Sequence, residues 1–232
     1  MAFLPMNAKE MRDRGWNEVD FVYVCGDSYV DHPSFGAAII TRVLEDCGYK
    51  TAFLAQPNWK NDDDFTQFGK PRLGFMVSAG NIDSMVAHYT VAKRKRHDDA
   101  YTAGGKNGRR PDRAVTVYCN IIRKLYPDSP IIIGGLEASL RRFAHYDYWK
   151  NTVMPSVLFD SKADIISYGM GELQTIEMAK RLSEGYPVEA LYDIRGICYA
   201  VKTSDYVPKT VVELPSYERV CESKKDYAIA AR

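Results

Sequence analysis

The sequence of 232 residues contains no apolar run approaching the roughly 18 residues of a membrane-spanning helix; its hydrophobic stretches are broken by glycine, aspartate or arginine. The opening Met1-Ala2-Phe3-Leu4-Pro5-Met6-Asn7 lacks the basic segment and long apolar core of a secretory signal. Cysteine pairing is missing too. The five cysteines (Cys25, Cys47, Cys119, Cys198 and Cys221) are widely spaced with no C-x-x-C, which argues against a zinc ribbon and a thioredoxin-type redox site. Reduced thiols and a cytoplasmic, membrane-free location are the expectation. Four histidines are too few to spare for a three-histidine metal centre. A net charge of +1 excludes a polybasic coat. There is no Walker loop, kinase signature, Ser–His–Asp order or G-x-G-x-x-G, so a nicotinamide dinucleotide site is not expected.

What remains is an ordinary soluble composition, 46% hydrophobic and 26% charged, long enough to bury a core without staples. Strand and helix patterns alternate. Short apolar runs at 20–25, 50–55, 72–78, 130–135 and 164–168 read as strands that end at glycine, proline or asparagine. Helical periodicity covers 34–47, with Ala37, Ile40, Val43, Leu44 and Cys47 on one face, then 112–126 and 171–184. A polar connection at 61–69 has room for one short helix. After residue 196 the pattern suggests an antiparallel hairpin, with arms at 197–201 and 206–214. The fold class is therefore α/β: an open, mostly parallel, Rossmann-like sheet with helices on both faces, ending in an antiparallel hairpin. The expected layout is an arm with a short helix at 1–19, the α/β domain at 20–215 and a linker at 216–232. Cys25, Cys119 and Cys198 lie inside apolar runs and read as small buried hydrophobes.

In such sheets ligands bind beyond the carboxyl ends of the strands. That rule selects Gly26 to Gly36, Gln56 to Trp59, Ser78 to Asn81, Gly134 to Glu137 and Gly169 to Glu172. Their glycines suit close approach of a ligand, and equally suit any tight strand-to-helix turn. Asp27, Asp31, His32, Glu137 and Glu172 are the candidate crevice residues. Asp31 beside His32 can place charge or move protons, or Asp31 can cap a helix starting near Pro33. The segment 91–111 reads as a long loop inside the domain. Lys93, Arg94, Lys95, Arg96, Lys106, Arg109, Arg110 and Arg113 face only Asp98, Asp99 and Asp112, a local charge of +5. Of these, Lys93 to Arg96, Arg109 and Arg110 are candidates for contact with RNA or another polyanion, or for docking a partner domain. Only Tyr101 interleaves, so a base-stacking platform is not expected. The run from Arg141 to Trp149 is rich in aromatics, fit for a pocket wall or a half-buried helix.

Several strings together resemble the YgiQ family of radical S-adenosylmethionine proteins. They include Phe3-Leu4-Pro5-Met6, Gly26-Asp27-Ser28-Tyr29-Val30-Asp31-His32-Pro33-Ser34-Phe35-Gly36 and Ala55-Gln56-Pro57-Asn58-Trp59. Asn107-Gly108-Arg109-Arg110-Pro111, Gly134-Gly135-Leu136-Glu137-Ala138-Ser139-Leu140-Arg141-Arg142 and Tyr168-Gly169-Met170-Gly171-Glu172 extend the likeness along the chain. The resemblance implies a Rossmann-like domain, similar to cobalamin-binding domains, ahead of a radical barrel in the same polypeptide. That barrel holds a 4Fe-4S cluster on C-x-x-x-C-x-x-C and cleaves S-adenosylmethionine. No such motif occurs here, so no cofactor is expected in this chain, and the cluster and S-adenosylmethionine belong to a longer protein. Cobalamin is not expected either, because Asp31 and His32 are adjacent where the family of cobalamin motifs reads D-x-H-x-x-G. The resulting expectation is a non-catalytic accessory domain. An RNA or polyanion module and a cobalamin-type ligand domain are the alternatives.

Overall fold

The computed structural model describes residues 2–202 and 211–231. Helix α1 (Ala8–Asp13), N-capped by Asn7 through the Glu10 N–H, leads into strand β1 (Phe21–Cys25). There follow α2 (Gly36–Asp46), β2 (Thr51–Ala55), α3 (Asp63–Thr66), β3 (Gly74–Ser78) and α4 (Ser84–His88). A long connection with one 3-10 turn, Ala103–Gly105, precedes α5 (Ala114–Leu125), β4 (Ile131–Ile133) and α6 (Gly135–Leu140). Strands β5 (His145–Asp147) and β6 (Thr152–Met154) make a separate antiparallel pair. The chain continues through α7 (Val157–Ser161), β7 (Ile165–Ser167), α8 (Glu172–Ser183) and β8 (Ile197–Tyr199). Helices α9 (Tyr217–Glu222) and α10 (Lys224–Ala230) close it.

Six strands form one sheet in the order β2-β1-β3-β4-β7-β8. Every pairing is parallel except β7 with β8. The strands read as continuous apolar runs because both faces are covered, so alternate residues go to opposite cores. Val22, Val24, Phe75, Val77, Ile131 and Ile133 face one layer, packed on Tyr118, Cys119 and Ile122 of α5. Phe21, Tyr23, Phe53, Met76, Ile132 and Ile165 face the other, packed on Leu44 of α2 and Met178, Ala179 and Leu182 of α8. The chain crosses from β2, on one side of β1, to β3, on the other. That reversal of winding opens a crevice at the carboxyl ends of β1 and β3.

Several local expectations change. The aromatic run after Arg142 forms β5 and the start of the following turn, not a helix, so its side chains alternate across a hairpin. Cys47 is exposed: α2 ends at Asp46, and Cys47 is its C-cap. β8 provides the antiparallel edge strand expected from residue 197. The second arm falls largely on 203–210, outside the described residues, and 211–214 is not strand. Residues 217–222 and 224–230 are helical, with Val220 buried and the Tyr227 hydroxyl accepting the Tyr146 N–H at 3.1 Å.

Candidate functional site

At the crevice, β1 and β3 end so close together that two glycines are obligatory. A Cβ on Gly26 would stand 2.3 Å from the Ala79 carbonyl oxygen. One on Gly80, which has φ +110°, would stand 2.0 Å from Asp27 Oδ1. The space is taken by a buried charge cluster. Arg110, 1% exposed, lies with Nη1 2.7 Å from Asp27 Oδ1 and donates to Ala79 O at 2.8 Å. Its Nε and Nη2 grip Asp99 at 3.0 and 2.9 Å, a bidentate geometry suited to guanidinium and carboxylate. Asp27 Oδ2 accepts the Asn81 N–H at 2.7 Å. Burial pushes the Asp27 carboxyl above its usual range, and Arg110 opposes the rise. Arg110 is therefore an internal strut and leaves the set of polyanion contacts.

Glu137, at the start of α6, is buried and serves two other helices. Its carboxylate accepts the Ser84 N–H of α4 at 2.8 Å and the Val115 N–H of α5 at 3.1 Å. These are orphan amides of helix first turns, which carry partial positive charge. Burial, then the neighbouring Asp83 charge, raises its pKa. Asp31 does not cap α2. The helix starts at Gly36 after an N-cap Phe35, and Asp31 is instead paired with Arg42 of the same helix, which holds its carboxyl below the ordinary range. His32 is exposed, its Nδ1 accepting the Ser34 N–H at 3.1 Å. Asp27, Asp31, His32, Glu137 and Glu172 thus do not converge. Among the described residues no three His, Cys, Asp or Glu side chains gather as a metal site.

Glu172 alone of the five lines a cavity of about 270 Å3 between α2 and α8. Tyr23, Ile40, Met76 and Ile132 form its apolar wall, and Gly36, Gly80, Gly134, Gly135, Gly169 and Gly171 much of its rim. Ser167 also lines it, with its hydroxyl buried and without a hydrogen-bond partner. Such a group is informative, because buried polar atoms are nearly always paired. Ser167 was absent from the sequence candidates although it ends β7, where the strand-end rule points.

The basic segment 91–111 is folded onto the domain. Lys93 Nζ donates to Trp149 O at 3.3 Å and stands 4.9 Å from the Tyr148 ring centroid. Arg96 Nε reaches the carbonyls of Val86 and Tyr89 at 3.0 and 3.2 Å. Arg94, Lys95 and Arg109 remain on the exposed side. Flanking the segment is a pair that sequence spacing could not show: buried His88, whose Nδ1 lies 2.6 Å from Oδ1 of exposed Asp112.

A mostly parallel sheet whose winding reverses beside a glycine-rimmed cavity defines a Rossmann-like α/β domain. The chain belongs to the radical SAM N-terminal family, which it matches over residues 3–232. A UPF0313 protein of Clostridium botulinum (strain Okra / Type B1) is 53% identical over 230 residues, covering 99% of this chain and 36% of that protein. One from Clostridium perfringens (strain 13 / Type A) is 52% identical over 226 residues, covering 97% and 34%. The chain thus spans about a third of the length of these relatives. In fold it is similar to the radical S-adenosylmethionine methyltransferase TsrM of Kitasatospora setae, solved with tryptophan substrate and a SAM analog. That match has TM-score 0.50 at 18% identity, over 78% of this chain and 28% of that one. A second TsrM structure, with cobalamin and a 4Fe-4S cluster bound, aligns at TM-score 0.49 and 19% identity, over 78% and 27%. No helix among the described residues is long and apolar enough to cross a membrane.

Proposed function

We propose that this chain is the accessory domain of a radical S-adenosylmethionine enzyme, shaping one wall of its substrate chamber without carrying the reaction. The crevice is the observation that supports it. Beside the cavity rim stand apolar side chains left open to solvent, Met170 at 84% and Leu173 at 79% exposed, with Leu136 and Leu140 on α6. Clustered exposure of this kind marks a surface that another domain covers. In this reading the barrel, with its 4Fe-4S cluster and S-adenosylmethionine, lies in the same cytoplasmic polypeptide, reached through residues 216–232. Ser167 and Glu172 meet the ligand, while Asp27 and Glu137 hold the walls.

The cysteines present do not fit an iron–sulfur cluster. Cys25 and Cys119 are in the core, burial pushing the Cys25 thiol up to about 12 and the Cys119 thiol higher still. A cluster needs thiolates on neighbouring ligands. Anaerobic reconstitution of the chain with iron and sulfide tests the reading. It should leave the protein colourless, whereas one cluster per chain by absorbance and iron assay would refute it.

A corrinoid in the same crevice is a second reading, favoured by the apolar wall of Ile39, Ile40, Met76 and Ile132, which suits a planar ring. His32 does not line the cavity, so no residue of this chain is assigned as its axial ligand. Spectral titration with cobalamin decides between an occupied and an indifferent crevice.

A further inference from the structure

The cavity between α2 and α8 selects for charge. Glu172 is the one charged side chain among the described residues that line it. The first turns of both helices also reach it, at Gly36 and Ala37 and at Gly171 and Glu172, and neither helix has a side-chain N-cap. An uncapped helix start carries roughly half a positive charge. Together the two starts offset the carboxylate. An anion entering this space is repelled by Glu172, and a cation by the helix starts. The rest of the wall is largely apolar, with Tyr23, Ile40, Met76 and Ile132.

One buried hydroxyl of the wall is uncommitted. Ser167, 9% exposed at the end of β7, has an Oγ with no hydrogen-bond partner. Gly171 shows which way it points. A Cβ built on that glycine would stand 2.9 Å from Ser167 Oγ and 3.8 Å from Ile40 Cδ1. The hydroxyl is thus turned toward the gap between α8 and α2, where Gly171 and Ile40 both line the cavity. Gly171 has φ −86°, a value open to any residue, so its missing side chain answers to this space and not to the backbone. A hydroxyl donates or accepts in its ordinary protonation state, so no change of charge is needed for it to bond.

We propose that this cavity takes a small uncharged molecule with an apolar body and one hydroxyl or carbonyl oxygen, bonded to Ser167 Oγ. At about 270 Å3 the space is at the small end of ligand pockets. An apolar wall with very few fixed polar groups is the usual way such a pocket orients its ligand. The inference rests on the reading of the crevice as a ligand site and adds the charge class of the ligand. Gly171 leaves room beside the hydroxyl, and Glu172 turns anions away.

The test uses four probes that share one apolar body: cyclohexylmethanol, cyclohexanecarboxylate, cyclohexylmethylammonium and methylcyclohexane. Each is titrated into the chain labelled with carbon-13 at its isoleucine and methionine methyls, and the Ile40, Met76 and Ile132 signals are followed by NMR. Cyclohexylmethanol should give a saturable shift and bind more tightly than either charged probe. Ser167→Ala should weaken the alcohol about three- to tenfold, the loss of one neutral hydrogen bond, and leave methylcyclohexane unchanged. Glu172→Gln should tighten the carboxylate about tenfold. A charged probe that binds the parent chain as well as the alcohol overturns the proposal while the crevice remains a ligand site. So does a Ser167→Ala chain that holds the alcohol as before, or that loses both uncharged probes equally. If no probe moves the three methyl signals, the proposal falls together with the ligand reading of the crevice.

Discussion

The Arg110 guanidinium lies 2.7 Å from the Asp27 carboxylate, so the basic segment is anchored beneath the surface to the end of β1. With Asp99 on its other side, Arg110 has no solvent-exposed side-chain surface. Removing one member of a buried ion cluster leaves the others uncompensated. Arg110→Met should cost about 3–5 kcal/mol in urea unfolding. Faster amide exchange across 91–111 should accompany it, and unchanged exchange there would show that the anchor lies elsewhere.

Glu137→Gln removes a charge but keeps the shape of the side chain. One amide oxygen has to serve where two carboxylate oxygens met the Ser84 and Val115 amides, and an amide NH2 then faces a donor. A loss of about 1–3 kcal/mol is expected from the unsatisfied buried group. Equilibrium unfolding measures it, and a neutral substitution would mean that water replaces the lost acceptor.

His145 makes stability depend on pH. Burial lowers its pKa below 6.5, with Nδ1 at 3.1 Å from the Phe143 carbonyl. The folded protein then binds fewer protons than the unfolded chain, so this contribution is full above pH 6.5 and is lost as pH falls through 6.5 towards the folded value. Asp27 and Glu137, whose carboxyls are pushed up, act in the opposite sense: their contribution is full below the ordinary carboxyl range of the unfolded chain and is lost as pH rises from there through the folded pKa. Comparing His145→Asn with the parent protein isolates the histidine. The stability difference between them should change across this window, and a constant difference would contradict the assignment.

Thiol chemistry reads the core directly. Cys47 and Cys221 are exposed, while Cys25 and Cys119 are buried with thiols held protonated. At pH 8 an alkylating reagent should modify Cys47 and Cys221 quickly and Cys25 and Cys119 only on unfolding. Mass spectrometry of the native protein checks this, and early labelling of Cys25 would reveal an open β1.

Most of the sheet was legible because a strand covered on both faces must be apolar throughout. Phe21 to Cys25 and Ile131 to Ile133 announce themselves by that alone. The rule that ligands gather at strand ends likewise found the glycines around the cavity and Glu172. Charge pairing was not legible. Arg110 looks like any cation of a basic run, and its partner Asp27 like any loop carboxylate, because their meeting depends on how the long connection folds back. Asp31 gave a helix-cap signal that Arg42 outcompetes with a full charge. His88 and Asp112 carry no local motif at all. Ser167 stands out only once a cavity lies against it.

The glycine-rimmed cavity is bounded by α2 and α8, which enter the chain near its first strand and after its fifth parallel one. No short stretch of sequence contains both walls. In the proposed reading, a ligand in this crevice therefore depends on contact between segments far apart in the sequence. A chain interrupted before Glu172 could complete β1 to β7 and still present an open slot. In that reading, occupancy of the crevice would report that α2 and α8 have come together.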